Sequence, residues 1–490
     1  MQVTVTRKDT KFLPDPSRVI ARFCYFSNER AKNIILGVLA MSESEVFVAL
    51  SQVLRGFSRR HRNISLIFET HFNKLADLIN ELGIKPGKVN HSRKALIGSY
   101  FTMEYSIESA AFFNPSIVED PDQSETGLNE KRVIFSFRAT GEGHISSIVF
   151  RSAIIDRNNN LIIEPVGKML AEADRIKRHI YNQKSFIRKL DEMRDFDNKL
   201  SPVFVLEKLG DRFTYGELKR AVEETRKTHK LTPGKELIIN QMVWLALSHY
   251  EIEFSLDSAI SERVIFPISD TEKNGIEDAR FVRFTDEHNE VTYYATYTAY
   301  DGMSILPKLL STRDFYHFKG LPIHGELALN KGIALFPRMV NGKYAILCRI
   351  DGINNYLAYS DNINVWREAR LIQKPKYSWE LVQVGNCGSP IETEEGWLVI
   401  THGVGPMREY VLGASLYELN NPEIEIGRLK TPLLASNNEE REGYVPNVVY
   451  SCGSIIHNKH LILPYAMSDY ASTYATVDLN ELLHELKNSK

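Results

Sequence analysis

The sequence predicts a mainly β protein: a five-bladed β-propeller with an N-terminal helical region and a helical insertion between the first and second blades. Five strand–turn–strand units run along the chain, at 131–156, 279–302, 342–366, 396–419 and 459–479. From the second unit onward they recur about every 50 to 60 residues, a spacing that suits blades of several strands each. Two other stretches, 28–82 and 166–250, instead repeat apolar residues at three- and four-residue steps, the helical period. An array of β-sandwiches with helical additions is the alternative that periodicity leaves open.

Taken in order, residues 1–97 are the N-terminal helical region. It contains "AKNIILGVLAMSESEVFVALSQVLRGF" and "ISLIFETHFNKLADLINELG", stopped by Gly83 with Pro86 beyond. Residues 98–165 and 251–490 form the propeller. Each unit has an apolar strand, a polar or Gly-containing turn, and a second strand rich in Tyr, Ala or Ser. Residues 166–250 are the insertion, helical through "GKMLAEADRIKRHIYNQKSFIRKLDEMRDF", "TYGELKRAVEETRKTH" and "KELIINQMVWLALSHY". Amphipathic stripes on both helical parts suit packing on the propeller or self-association, so a homo-oligomer is one expectation.

Composition narrows the function. The 490 residues are 43% hydrophobic and 25% charged, with a formal net charge of -2, so no global field draws the chain to nucleic acid or anionic lipid. The four cysteines, Cys24, Cys348, Cys387 and Cys452, are widely spaced and form no CxxC pair. They suit a reducing compartment. The first residues hold no apolar signal core and no stretch reaches 18 apolar residues, so a cytoplasmic protein is expected. A polymer reaching it there arrives as small pieces. "GEGHIS" is a turn and not a phosphate loop, and no HExxH, GxSxG or metal-spaced histidine cluster occurs, so neither metal nor cofactor is expected.

Charge at strand ends marks the site. Arg138, Asp278, Arg349, His402 and Asp469 each stand near one end of a unit, where apolar residues would pack better. Inner strand ends of a propeller converge, so five such residues imply one polar centre. Tyr297, Tyr300, Tyr410, Tyr444, Tyr465 and Trp379 offer it aromatic faces with polar tips. Acid, cations and aromatics together suit a carbohydrate or a phosphate ester. In "NGIEDARF", strand alternation puts Asp278 and Arg280 on one face and sends Glu277 to the other.

The segments "NGIEDARF", "IALFPRMVNGKYAILCR", "NNYLAYSDNINVW", "PIETEEGWLVITHGV", "YVLGASLYEL" and "GYVPNVVYSCG" resemble, in order and spacing, glycoside hydrolase family 130, the mannoside phosphorylases and β-mannosidases. The resemblance covers about residues 98–160 and 260–485 and implies a five-bladed propeller acting on β-mannoside oligosaccharides. It implies that Asp278 is the catalytic acid, protonating the glycosidic oxygen through a sugar hydroxyl. It also implies substrate contacts from Arg138, Ser146 and Asp469, and a phosphate site at Lys331, Arg349 and His402; Tyr297, Tyr410 and Tyr444, read above as aromatic faces, are further substrate-binding candidates. Two positions depart from the family: Lys331 replaces the usual Arg before "LFP", and Gln383 replaces the usual Lys before "NCGSPI". Arg408 or Arg338 are substitutes for the second. A phosphorylase uses inorganic phosphate as co-substrate behind the anomeric carbon. A hydrolase needs a carboxylate base instead, and the candidates are Glu392, Glu394, Glu440 and Glu442. A non-catalytic propeller that binds a glycan or a protein is the third reading.

Overall fold

The computed structural model describes residues 3–489 apart from 174, 179, 193–200, 229, 249, 303–304 and 329. Five antiparallel sheets organise it. Each is centred on a hairpin that coincides with one of the five sequence units: Lys131–Thr140 with Ser146–Ile155, Ile276–Thr285 with Val291–Tyr300, Tyr344–Cys348 with Asn355–Ser360, Gly396–Val404 with Tyr410–Tyr417, and His460–Met467 with Ala471–Asp478. The strands are near-continuous apolar runs because most are covered on both faces. Val133, Ile134 and Phe135 are buried in succession.

The sheets pack in sequence. Ala111–Glu119 of the first lies on Ile276–Thr285 of the second, and Val291–Tyr300 on Ala334–Leu335 of the third. Tyr344–Cys348 meets Gln383–Asn386 of the fourth, and Tyr410–Tyr417 meets Val449–Tyr450 of the fifth. His460–Met467 of the fifth then returns to Ala111–Glu119. The hydrophobic core is divided among the seams, such as Phe150 and Ile265 against Phe281 and Ala295 between first and second sheets. A cavity of about 500 Å³ is lined by Ile117, Phe281, Ile391 and Ile455 of the first, second, fourth and fifth sheets and by Pro337, between strands of the third.

Distant segments complete the outer edges. Val5–Arg7, within the region expected to be helical, is the outermost strand of the fifth sheet, on Ala471–Asp478. Val264–Ile265, which follows the insertion, extends the first sheet on Ser146–Ile155. The helical region is otherwise helices Asn28–Ala40, Glu43–Phe57, Ile64–Asn73, Ala76–Glu81 and His91–Tyr100. Ser27, Ser42 and Asn90 cap three of them, and Gly83 takes φ +74° just past the fourth. Among the described residues no single helix is long and apolar enough to cross a membrane.

The insertion folds around its own core, with Phe186, Leu218, Ile239 and Leu245 buried together. Its first part corrects the helical expectation. Arg175–Arg178 is a strand paired with Tyr250–Glu253, and Ile180–Asn182 pairs with Arg212–Thr214. Partner strands supplied by tertiary structure outweigh a weak local helical pattern there. The helix begins only at Gln183, and 193–200 of the expected helix lie outside the described residues.

Candidate active site

Two β-bulges build the centre. In the second sheet Glu277 pairs with Thr298 and Arg280 with Thr296, so three steps on one strand face two on the other. The extra residue is Asp278, at φ +52°. The first sheet repeats the device: Phe113 faces Arg138, Ser116 faces Ser136, and Asn114 takes φ +52°. Left-handed backbone costs a side-chain-bearing residue energy, and bulges of this kind re-aim side chains. Here they turn Asn114 and Asp278 toward each other, and Asn114 Nδ2 donates to Asp278 Oδ1 at 2.6 Å.

The bulge also overturns the alternation argument for Glu277. Arg138 Nη2 donates to Glu277 Oε1 at 2.7 Å, and its Nη1 lies 3.6 Å from Asp278 Oδ1. One guanidinium therefore holds both acids. Asp469, on a hairpin turn at φ +52°, joins them electrostatically. Burial pushes its carboxyl up to about 6, helped by the charge of Asp278. Burial raises Asp278 too, but Arg138, Lys331, the Asn114 hydrogen bond and Arg280 outweigh it and hold Asp278 below the usual carboxylate range.

Near the acids stands a set of cations. Arg280 Nη1 donates to Asn386 and Gly332 O, and Nη2 donates to Tyr450 OH at 2.6 Å. Arg349 donates to Gly352 O. None of Arg280, Arg349 and Lys331 has a carboxylate at ion-pair distance among the described residues. Glycines make the convergence possible. A Cβ at Gly332 would lie 3.2 Å from Arg349 Cδ and 3.9 Å from Arg280 Nη2, and one at Gly385 would clash with His402 and Arg349. His402 is buried beside them and lies 3.7 Å from Cys387 Sγ through Nδ1. Burial, then Arg349 and Arg280, push its pKa well below the usual value. The expected cation is thus a neutral imidazole. Among the described residues the buried Nε of Arg138, Nε of Arg349 and Nε2 of His402 have no hydrogen-bond partner.

The remaining expected residues divide. Tyr410 stacks on His402 with ring centroids 6.0 Å apart, and Gln383 Nε2 donates to its OH at 3.4 Å, so the position that departs from the family still borders the centre. Tyr444 is exposed on the rim, its ring 5.6 Å from His144. Arg408 stays exposed on the turn 406–408, and Ser146 is buried against Gly275. Tyr297 is not at the centre: its OH donates to Glu272 in a buried network. Tyr465 likewise donates to Glu440, Trp379 packs under Gly403 and Gly413, and Tyr300 donates to Gly302 O.

The proposed hydrolytic bases also scatter. Glu440 is buried and holds Arg7 and Tyr465, and Glu394 is exposed on a turn. Glu392 forms a two-bond ion pair with Arg338 and lines the 500 Å³ cavity. The cavity residues follow the cluster residues in chain direction: Phe281–Thr285 follow Asp278 on one strand, and Ser389–Glu392 come after Asn386. Glu392 and Arg338 therefore lie at the opposite end from Asp278, by strand direction. Glu442 alone sits near the rim, on the loop where Gly443 abuts Ser468 O beside Asp469. Asn114 and Tyr450 were not singled out from sequence; "FNPS" and "VYSCG" carry them at the same blade position as "EDAR".

The sequence profile of the glycoside hydrolase 130 family, described as beta-1,4-mannooligosaccharide phosphorylase, matches residues 238–488. The chain belongs to this family. Within family 130, a β-1,2-mannobiose phosphorylase from Listeria innocua is 31% identical over 48% of this chain and 65% of its own length. A 1,2-β-oligomannan phosphorylase from Thermoanaerobacter is 32% identical over 44% of this chain and 72% of its own. The solved Listeria innocua β-1,2-mannobiose phosphorylase, in complex with β-1,2-mannobiose, aligns with a TM-score of 0.47 at 23% identity, over 78% of this chain and 93% of that one. The match thus spans just under two thirds of the Listeria relative.

Proposed function

We propose that this chain is an inverting mannoside phosphorylase, built as a five-bladed propeller, that cleaves β-mannosides with inorganic phosphate and releases mannose 1-phosphate. The observation that carries it is a group of cations left without carboxylates beside the acids. Asp278, Glu277 and Asp469 act on Arg138, while Arg280, Arg349 and Lys331 have no carboxylate at ion-pair distance among the described residues. Three such cations beside a neutral His402 suit a phosphate dianion, which takes charge-assisted hydrogen bonds from guanidinium groups. The same region would disfavour a carboxylate base for water only weakly, but Glu392, Glu394 and Glu440 are engaged or exposed elsewhere.

In this reading phosphate attacks the anomeric carbon from the cation side. Asp278, across the sugar, delivers the proton that the leaving oxygen needs. Asp469 and Arg138 hold sugar hydroxyls, with Tyr410 and Tyr444 at the edges. No cofactor takes part, and the substrates are short oligosaccharides in the cytoplasm. The return of the fifth sheet to the first supports the closed propeller.

Incubation with β-1,2- and β-1,4-mannobiose, with and without phosphate, tests the reading. Mannose 1-phosphate is expected only with phosphate, and Asp278→Asn should lower turnover by about 10²–10⁴-fold. Free mannose formed at the same rate without phosphate would make the chain a β-mannosidase and point to Glu442 as base. Binding of both disaccharides without conversion would make it a non-catalytic propeller.

A further inference from the structure

A second concave space lies away from Asp278. It is a cavity of about 600 Å³ between helix Ile64–Asn73 and residues 170–173 on one side and residues 264–268 on the other. That volume is in the range of small-molecule sites. Leu66, Leu170, Val264 and Phe266 give it an apolar lining. Its polar groups carry both signs. Glu172 opens onto the cavity and has no hydrogen bond or ion pair with protein among the described residues. Burial pushes its carboxyl up, against the pull of Arg22 and Lys74. Lys74, also in the wall, has no carboxylate at ion-pair distance among the described residues and lies 5.0 Å over the Phe23 ring. Asn63 precedes the helix at φ +51° yet makes no capping bond, which leaves its amide free on the same wall.

An anion here would meet Glu172, and a cation would meet Lys74 and Arg62. A polyol suits both, because each hydroxyl donates and accepts. The C–H faces of a sugar ring would lie on the apolar lining. We propose that this cavity is a second saccharide-binding site, formed where the N-terminal helices meet the edge of the first sheet. It is distinct from the catalytic centre but linked to its rim. Phe266 packs edge-on against Tyr105 at 5.7 Å, and Tyr105 OH donates at 2.7 Å to Glu142 O of the turn that carries His144.

The test is calorimetric titration of the full chain with mannose, glucose and β-1,2-mannobiose, all in an Asp278→Asn background to prevent turnover. Glu172→Gln removes charge from the wall. Leu66→Trp fills the mouth at a side chain that is 61% exposed, so folding is preserved. At least one sugar is expected to show a binding event that either substitution weakens tenfold or more, with any other event unchanged. Sugar binding that neither substitution alters, or no binding by any of the three, would overturn the assignment. Phosphate-dependent cleavage is read separately in chains with Asp278 intact. Loss of the phosphorylase reading would therefore leave a Glu172-sensitive event standing, and the reverse also holds.

Discussion

In the proposed reaction Asp278 gives up a proton, yet in the free centre its surroundings favour the carboxylate. Burial works in its favour, but Arg138, Lys331, Asn114 and Arg280 outweigh burial. Lys331 and Arg280 belong to the cation side. A phosphate dianion placed there cancels part of their field, and the Asp278 pKa rises. Phosphate should therefore raise the pH at which Asp278 titrates. Carboxyl 13C NMR with and without phosphate reads that shift, with the signal assigned by its absence in Asp278→Asn; a titration that phosphate leaves unmoved contradicts the coupling. Asp469 titrates differently. Burial and then the Asp278 charge move it from an ordinary 3.8 to about 6, so the folded chain holds more protons than the unfolded one between those values. Stability falls as pH rises across that window, and the cost above it is on the order of 3 kcal/mol. Asp469→Asn removes the cost. Its melting temperature should gain on the wild type as pH climbs from about 4 to about 6 and hold the gain above that. Melting curves that stay parallel across this range would refute the assignment. At Gly385 a methyl would lie 2.7 Å from Arg349 Cδ and closer still to His402. Gly385→Ala should raise the KM for phosphate about tenfold or more while costing about 1–3 kcal/mol of stability, as overpacking does. An unchanged phosphate KM would show that the cation side does not bind phosphate.

At the scale of elements, the two bulges explain what was legible. Arg138, Asp278, Arg349, His402 and Asp469 stand out as charges on apolar strands, and the structure gathers them. Glu277 and Asn114 do not, because a bulge breaks the two-residue period by which a face is read. Tyr450 does not, because nothing in its short strand distinguishes it from a packing tyrosine. Tyr297, Tyr465 and Trp379 mislead for the opposite reason: an aromatic that packs and one that lines a cup look alike in a strand. Glu392 shows a third limit, since sequence places it near a strand end without saying which end of the sheet faces the acids. Tyr297 belongs to the element that holds the Asp278 segment in place. Lys308 Nζ lies 2.9 Å from Glu272 Oε1, both side chains fully buried, and Glu272 also accepts Tyr297 OH at 2.7 Å and the N–H groups of Ile268 and Ser269. Gly275 N donates to Glu272 O at 2.7 Å, three residues before Asp278. Breaking one partner strands a buried charge. Lys308→Met should cost about 3–5 kcal/mol by denaturant unfolding, and adding Glu272→Leu should recover much of it. Equal losses in single and double variants would mean the pair does not act as a unit.

At the scale of the whole molecule, the five hairpins were readable because each is a long apolar repeat with its own turn, and local pairing follows from the chain alone. The packing that links the last sheet to the first was not readable, because it uses partners far apart in sequence. Val5–Arg7 reaches across to Ala471–Asp478, and Phe12 stacks between Phe135 and Phe137 at centroid distances of 5.3 and 4.9 Å. Arg7 Nε lies 3.1 Å from Glu440, which Tyr465 also binds. The N-terminal strand therefore covers the outer edge of the last sheet and ties it to the first. Removing residues 1–8 deletes that strand but keeps Phe12. It should bare the edge of Ala471–Asp478, leave Glu440 with Tyr465 alone, and lower the melting temperature on the order of 5 °C. An uncovered edge also invites pairing with a second chain. Sedimentation should then show concentration-dependent self-association beyond that of the full chain. Turnover per folded molecule should change little, because Asp278 and the cations belong to the inner strands. A truncated chain that melts with the full one and associates no more than it does would show that the seams between sheets hold without this strand.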